Sequence, residues 1–277
     1  MPLVKSAFLN SLGAGTALAD GGIGSLIFQL TGRLASADFV YEALNLRNAE
    51  LIQGIYSSSL AAGATVLTTN TFAANSTELA AAGVGDQVAE INNAAVNIAR
   101  DAISGHIVEY SIDNTEFFVI GSIGPGGSDV DAYSSQIDAL IAGSIDALLL
   151  ETFSDIDLAM GLTKAITSRP DSPPVIVHGA LDPSVGDYLE WPIDPATFVD
   201  QAASAGASVA GINCVAPWVA TEFVLAASAS SAVLAGELLL SAMPNAGGFE
   251  RIGHRFLTRA NPEYMGTLAR QLSNSGA

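Results

Sequence analysis

Cysteine and basic residues are scarce in this sequence, and their scarcity excludes several classes of protein. The 277 residues include one cysteine, Cys214, so the chain has no internal disulfide framework. Ten Lys and Arg stand against 28 Asp and Glu, which gives a formal net charge of −18 at pH 7. Such a chain lacks the basic surface that nucleic-acid binding requires, and anionic membrane surfaces are disfavoured for the same reason. No apolar run reaches the roughly 18 residues of a membrane-spanning helix.

Apolar residues are abundant. They make up 49% of the chain against 14% charged residues, which favours a large buried core and argues against disorder. The length is ordinary for one α/β barrel. Residues 7–19 loosely resemble a secretory signal, but Asn10, Ser11, Gly13 and Gly15 interrupt the apolar run. We therefore expect a lead-in to a first strand, and a cytoplasmic protein.

Short apolar runs alternate with helical patterns along the whole chain. The runs are continuous, as is typical of parallel strands buried on both faces, and cover residues 17–19, 65–69, 117–121, 147–150, 175–177, 209–212 and 238–242. Helical patterns cover residues 48–60, 88–102, 155–166, 195–205 and 218–227. This alternation predicts a (β/α)8 TIM-type barrel, one domain over residues 1–277, that lacks its eighth strand and helix. A doubly wound open sheet is the alternative, although no Gly-rich dinucleotide fingerprint follows the first run.

Polar residues follow these runs, at the strand ends that converge on one face of a barrel. Taken alone, each is also explained by a turn or a helix cap. Their recurrence favours a binding site. The predicted substrate-binding residues are Asp20, Gly21, Gly22, Asn70, Thr71, Ser122, Glu151, Asn213 and Asn245.

Some of these positions suggest specific chemistry. Gly21 and Gly22 would let backbone N–H groups approach an anion, such as the carboxylate of a small amino acid. Glu151 ends a fully apolar run, so its carboxylate needs a partner, either a ligand ammonium group or a backbone cap. Cys214 ends another run, where a thiolate is a candidate metal ligand or nucleophile. The alternative is an inert, buried cysteine.

The three histidines, His106, His178 and His254, are scattered and form no recognisable metal-binding pattern. His178 ends the fifth run, where its side chain could face the site. His254 lies in a long segment, residues 247–261, which we interpret as a loop that could form a lid.

Short motifs in a fixed order make this sequence similar to the homocysteine S-methyltransferase family. That family comprises S-methylmethionine- and betaine-dependent methyltransferases and the homocysteine-binding module of cobalamin-dependent methionine synthase. Each motif is short, but eight in the family's order cover nearly the whole chain. They are Asp20-Gly21-Gly22-Ile23-Gly24, Asn45-Leu46, Ala62-Gly63-Ala64, Thr69-Asn70-Thr71-Phe72, Gly121-Ser122-Ile123-Gly124-Pro125, Leu150-Glu151-Thr152-Phe153, Gly211-Ile212-Asn213-Cys214 and Pro244-Asn245-Ala246-Gly247.

The resemblance implies a zinc-dependent barrel enzyme. Zinc would hold the homocysteine sulfur as a thiolate, which attacks the methyl group of a sulfonium, ammonium or methylcobalamin donor and gives methionine. By resemblance, Gly21 and Gly22 would hold the homocysteine carboxylate, with Asp20 supporting the turn. Glu151 would hold the ammonium group. Cys214 would be the catalytic cysteine and the first zinc ligand.

The sequence also departs from the family. The family takes two further zinc thiolates from a Gly-Gly-Cys-Cys motif after the eighth strand, which this sequence lacks. Residues 178–183 depart from the family's usual Ser-containing pattern. The last residues, Ser275-Gly276-Ala277, repeat the small-residue phrase that precedes earlier runs, so we expect a C-terminally incomplete barrel with little zinc-dependent activity as written.

Two alternatives remain open. One is a zinc-less homologue that acts as an amino-acid-binding or interaction protein. The other is a metal-free methyltransferase that uses Cys214 or His178 differently. In each case the expected partners are small molecules, with no nucleic acid and no membrane, and a homo-oligomer is left open.

Overall fold

The structure, a computed structural model, describes residues 6–36, 39–113, 115–181, 191–246, 249–252, 255–258 and 260–277. The chain forms two compact units. Residues 6–148 are called the N-terminal unit, and residues 149–277 are called the C-terminal unit.

Helices and strands alternate through the described residues. The strands are β1 (Val66–Thr68), β2 (Phe118–Ile123), β3 (Ala147–Phe153), β4 (Val175–Gly179), β5 (Val209–Asn213), β6 (Leu239–Met243), β7 (Phe249–Ile252) and β8 (Arg255–Thr258). The α-helices are α1 (Ala7–Ala14), α2 (Ile23–Thr31), α3 (Leu44–Arg47), α4 (Ala49–Ala61), α5 (Ser76–Ala81), α6 (Val88–Tyr110), α7 (Ser134–Ala142), α8 (Ile156–Thr167), α9 (Pro195–Ala205), α10 (Pro217–Ala227), α11 (Ser231–Leu234) and α12 (Pro262–Asn274). Short 3-10 helices cover Tyr41–Ala43, Gly85–Gln87 and Val130–Tyr133.

The main sheet has six strands in the order β1-β2-β3-β4-β5-β6. The registers described for β1–β2, β4–β5 and β5–β6 are all parallel. Strand order therefore follows chain order, as expected when each strand is followed by a helix that crosses over to the next strand. The fold is α/β, which confirms that part of the predicted fold class.

In the N-terminal unit, β1 and β2 pair in register from Val66–Phe118 to Thr68–Ile120. Helix α4 begins after Asn48, whose side-chain oxygen accepts from Leu51 N. Helices α4 and α6 turn buried apolar faces inward, including Ile52, Ile55 and Ile91. Burial of such faces is the main contribution to stability for helices of this kind.

In the C-terminal unit, β4 and β5 are buried along their whole length. Helix α9 begins where Asp194 accepts from Thr197 N and Pro195 occupies the first turn, two common signals for a helix start. Phe198 of α9 packs edge-to-face against Phe223 of α10, with ring centroids 6.2 Å apart. Both helices also contact the sheet, α9 against β5 and α10 against β5 and β6.

Most predicted elements are confirmed, with three differences. The run over residues 17–19 forms only one bridge, between Ala19 and Val66, and no strand. The residues before it, interpreted as a strand lead-in, fold as α1. The segment 247–261 contains an antiparallel hairpin, β7–β8, instead of a plain loop. His254 and residues 182 and 183 lie outside the described part of the chain.

Within the part of the chain that the structure describes, no helix is both long enough and apolar enough to cross a membrane. The structure divides into two compact units, and the single domain over residues 1–277 stays a prediction.

Candidate functional site

In the N-terminal unit, Asp20 follows the bridge residue Ala19, and its side chain is hydrogen-bonded to strand β1. Its two carboxylate oxygens accept from the backbone N–H and the hydroxyl of Thr68, at 3.0 Å each. Gly21 and Gly22 follow directly, are exposed, and precede the N-terminus of α2. A Cβ placed on Gly21 would meet no atom within 4 Å. Packing within the protein therefore does not require glycine at position 21, and its backbone stands open to a ligand.

The next group of predicted site residues is buried at the carboxyl ends of β1 and β2. Asn70, Thr71 and Ser122 are 5%, 0% and 2% exposed. Asn70 Nδ2 donates to the backbone oxygen of Tyr41 at 2.8 Å and to Asn45 Oδ1 at 3.0 Å. The Thr71 hydroxyl donates to the Ser122 backbone oxygen at 2.6 Å. The described bonds of these residues hold the protein itself together, so a direct substrate contact from them stays a prediction.

Side chains from three helical segments hold the loop that follows β1. Tyr56 OH accepts from Asn70 N at 2.9 Å, and Gln136 Nε2 donates to the Thr71 backbone oxygen at 2.6 Å. Glu42, only 6% exposed, accepts from Ala73 N at 2.9 Å. Buried polar groups of this kind stabilise one conformation when they are paired, so these bonds favour the observed conformation of the loop. Our sequence interpretation missed Glu42, Tyr56 and Gln136; each is a polar group on an otherwise apolar helix face, which is the signal that could have revealed it.

The C-terminal unit brings together Glu151, Thr152, Asn213 and Cys214 at the ends of β3 and β5. Asn213 Nδ2 donates to Glu151 Oε2 and to Thr152 Oγ1, at 2.9 Å each. Asn213 Oδ1 accepts from Thr152 N at 3.0 Å. The Thr152 hydroxyl donates to Cys214 Sγ at 3.6 Å. The predicted convergence of strand ends is therefore realised between these two strands.

Cys214 is exposed and free, so it is not the fully buried cysteine that the alternative interpretation describes, and its chemical role stays a prediction. Partial burial of the thiol raises its pKa, the hydroxyl of Thr152 lowers it, and the charge of Glu151 raises it further. Thr152 and Cys214 both have left-handed backbones, with φ of 63° and 57°. For residues other than glycine this conformation is uncommon, and for a β-branched residue such as Thr it is an outlier.

His178 lies deeper in the same unit and does not reach the surface. Its imidazole is fully buried, and Nε2 is 2.6 Å from the hydroxyl of Ser241. His178, Gly211 and Ser241 are register partners on β4, β5 and β6, so the ring reaches β6 across the glycine of β5. Burial lowers the pKa of His178 to about 3, so the ring is neutral. His178 therefore does not line an open site.

Asn245 follows β6 and is exposed. Its backbone N–H donates to the Val215 oxygen at 2.9 Å, and Cys214 N donates to the Met243 oxygen at 3.2 Å. These two bonds hold the segment after β6 beside the segment after β5. The backbone of Asn245 therefore lies beside that of Val215, next to Cys214, and its role in substrate binding stays a prediction.

A zinc ion would require more ligands than these residues supply. Among the described residues, no group of three or more His, Cys, Asp and Glu side chains could hold a metal. Cys214 offers one sulfur, and the carboxylate of Glu151 is engaged by Asn213. Zinc sites in proteins usually have at least three protein ligands. The described residues therefore fit one position of a zinc site and do not complete it.

Comparison with known proteins agrees with the sequence motifs. A family model described as homocysteine S-methyltransferase matches residues 17–277. Methionine synthase from Mycobacterium leprae (strain TN) is 26% identical over 222 residues, and the match covers 74% of this chain and 18% of that protein. Methionine synthase from Mycobacterium tuberculosis (strain ATCC 25618 / H37Rv) is 26% identical over 223 residues, with the same coverage. The match thus spans under a fifth of these relatives' length.

Solved structures show the same fold. The metallated form of the homocysteine methyltransferase MmuM from Escherichia coli superposes with a TM-score of 0.75, at 22% identity, over 97% of this chain and 91% of that one. The oxidised form gives a TM-score of 0.74 over 97% and 92%. At this identity the similarity shows the fold alone.

Proposed function

Because this chain belongs to the homocysteine S-methyltransferase family, we propose that it binds homocysteine and serves the transfer of a methyl group to the sulfur of that amino acid, giving methionine. The observation that carries the proposal is the cluster of Glu151, Asn213, Thr152 and Cys214. It combines a carboxylate suited to an ammonium group with a sulfur suited to thiol chemistry.

Glu151 is proposed to bind the substrate ammonium group. Its carboxylate stands at the end of a strand whose preceding residues are fully buried, and Asn213 fixes the direction of Oε2. A fixed carboxylate loses little entropy when it pairs with a cation, so orientation by Asn213 strengthens binding. Charge-assisted bonds of this type are stronger than bonds between neutral groups.

In the N-terminal unit, we propose that the backbone N–H groups of Gly21 and Gly22 receive a carboxylate. Both glycines are exposed at the start of α2, where the orientation of backbone amides favours an anion. Asp20 supports the turn through its two bonds to Thr68. Asn70, Thr71, Ser122 and Asn245 remain proposed substrate-binding residues.

Cys214 is proposed as the catalytic cysteine and as the one zinc ligand that this chain offers. Since the described residues do not complete a zinc site, no step of the proposal passes through the metal. Attack of the homocysteine thiolate on an activated methyl group needs no general acid. The protein's contribution to catalysis is therefore to position the homocysteine sulfur and the methyl donor. We propose a sulfonium, ammonium or methylcobalamin donor.

The finer fold assignment is also a proposal. We propose that the six strands belong to a (β/α)8-type barrel whose eighth strand and helix are not among residues 1–277. The similarity to the MmuM fold over 97% of the chain supports this assignment. A cytoplasmic location and small-molecule partners complete the proposal.

The test is binding of L-homocysteine to the chain, measured by calorimetry in reducing buffer. Glu151→Gln should weaken binding about 10-fold or more, because it removes the charge that pairs with ammonium. Glu237→Gln, which changes an exposed carboxylate away from the cluster, is the matched control and should bind as the unaltered protein does. Equal affinity in all three proteins would remove Glu151 from the site.

Methyl transfer is tested separately, with labelled donors and added zinc. The chain as written should form little methionine; Cys214→Ser should abolish that remaining activity and should also lower the amount of zinc that the protein takes from a chromophoric chelator. Unchanged turnover in this variant would contradict both roles of Cys214.

A further inference from the structure

The amide of Asn213 gives a direction to the hydrogen bonds around Cys214. An amide nitrogen can only donate, so the Thr152 hydroxyl accepts from Asn213 Nδ2 at 2.9 Å. The hydroxyl proton of Thr152 is then available for another acceptor, and Cys214 Sγ lies 3.6 Å away. The hydrogen bonds therefore run from Asn213 through Thr152 to the sulfur, which occupies the accepting end.

The same amide also holds Glu151. Asn213 Nδ2 donates to Glu151 Oε2 at 2.9 Å, and Asn213 Oδ1 accepts from Thr152 N at 3.0 Å. One side chain thus contacts the proposed ammonium-binding carboxylate and the residue that contacts the sulfur. Three hydrogen bonds, from Asn213 Nδ2 to Glu151 Oε2, from Asn213 Nδ2 to Thr152 Oγ1 and from Thr152 Oγ1 to Cys214 Sγ, link the carboxylate to the sulfur.

Backbone conformation supports a specific role for Thr152. Its φ of 63° is sterically costly for a β-branched residue, and glycine would adopt it without that cost. Strained backbone of this kind is concentrated at functional sites. The hydroxyl is what Thr152 offers and glycine does not, and both polar contacts of that hydroxyl lie within the cluster.

We propose that Thr152 is a positioning residue that determines substrate length. Acting with Asn213, it fixes the separation between the Glu151 carboxylate and the Cys214 sulfur, so that an amino-acid thiol held by its ammonium group places its own sulfur beside Sγ only when its side chain has the matching length. Homocysteine has one methylene more than cysteine, a difference that hydrophobic pockets discriminate by roughly 10- to 200-fold. The inference rests on the proposed function of Glu151 and Cys214.

The experiment compares the affinities of L-homocysteine and L-cysteine by calorimetry in reducing buffer. Thr152→Val keeps the shape and branching of the side chain and removes the hydroxyl, whereas Thr152→Ser keeps the hydroxyl. We expect the unaltered protein and T152S to prefer homocysteine by about 10-fold or more, and T152V to lose most of that preference. Thr152→Gly, which suits the positive φ, is a second variant without the hydroxyl and guards against misfolding of T152V.

The outcomes separate this inference from the proposed function. If the unaltered protein binds neither amino acid, the proposed function fails and the inference fails with it. If the unaltered protein prefers homocysteine and T152V and T152G keep that preference, the role of Thr152 is wrong while the proposed function stands. If both variants lose affinity for the two amino acids equally, Thr152 supports the fold and does not select length, and the inference is again overturned.

Discussion

Gly211 permits the close contact between β5 and β6, and Gly211→Ala should destabilise the C-terminal unit strongly. A Cβ at position 211 would overlap the backbone oxygen of Ser241 and lie 2.7 Å from its hydroxyl. A backbone atom of a paired strand cannot move aside cheaply, so the overlap has to be relieved by shifting β6. Overpacking of this type costs about 1–3 kcal/mol.

The shift has a second cost, because the Ser241 hydroxyl pairs with His178. Nδ1 of His178 has no partner among the described residues, so Nε2 carries the hydrogen bond of this buried ring. Losing it leaves a buried polar group unpaired, at about 1–3 kcal/mol. Together, the two effects should lower the free energy of unfolding by about 4 kcal/mol, a large part of a typical total of about 5–15 kcal/mol.

The assay is urea denaturation followed by circular dichroism. Gly54→Ala is the matched control, since residue 54 lies inside α4 and a Cβ there would meet no atom within 4 Å. The control should gain up to about 1 kcal/mol from helix propensity. Combining Gly211→Ala with Ser241→Gly should restore little, because the backbone oxygen remains. A loss under about 1 kcal/mol for Gly211→Ala would refute the steric argument.

Two further predictions concern buried ionisable groups. Burial lowers the pKa of His178 to about 3, so the unfolded chain binds the proton more readily, and stability should be complete above about pH 6.5 and decline as pH falls towards 3. Between pH 7 and 5 the loss should be about 2 kcal/mol in the unaltered protein and absent from this source in His178→Gln; equal losses would contradict it. Burial raises the pKa of Glu42, partly offset by its bond from Ala73 N–H, so the stability that the neutral acid contributes is present at low pH and lost as pH rises through the raised pKa. Glu42→Gln should therefore gain stability relative to the unaltered protein between pH 4 and 7, and a constant difference in urea midpoints would refute this assignment.

The secondary structure followed from local patterns where burial and capping agreed. Residues 195–205 were predicted as a helix, and α9 has those bounds because Asp194 and Pro195 mark its start. The pattern over residues 88–102 stopped short of the observed end of α6, at Tyr110. The last turns of α6 are mostly exposed, so they carry no apolar periodicity to reveal them. The hairpin β7–β8 was interpreted as a loop, since short strands in a segment without a long apolar run give a weak signal.

The site was partly predictable for a different reason. Parallel strands end on one side of a sheet, so polar residues at the ends of β3 and β5 were expected to meet; Asn213 bonds to Glu151, and Thr152 bonds to Cys214. The sequence did not reveal that the side chain of Asn213 is hydrogen-bonded to Glu151 and Thr152. Nor did it reveal that the His178 ring contacts Ser241. That contact depends on the strand register and on Gly211, which has no side chain to separate the two residues.

The left-handed residues at the strand ends connect these observations. Glycine is common in this chain, with 27 residues, and it adopts a positive φ more easily than threonine or cysteine does. Thr152 and Cys214 nevertheless have positive φ. Neither position therefore holds the residue that favours its backbone. Asn213 offsets part of the strain at Thr152 through bonds to both its N–H and its hydroxyl. A fold selected for stability alone would have glycine in both places, so the chemistry of a hydroxyl and a sulfur is what these two positions require.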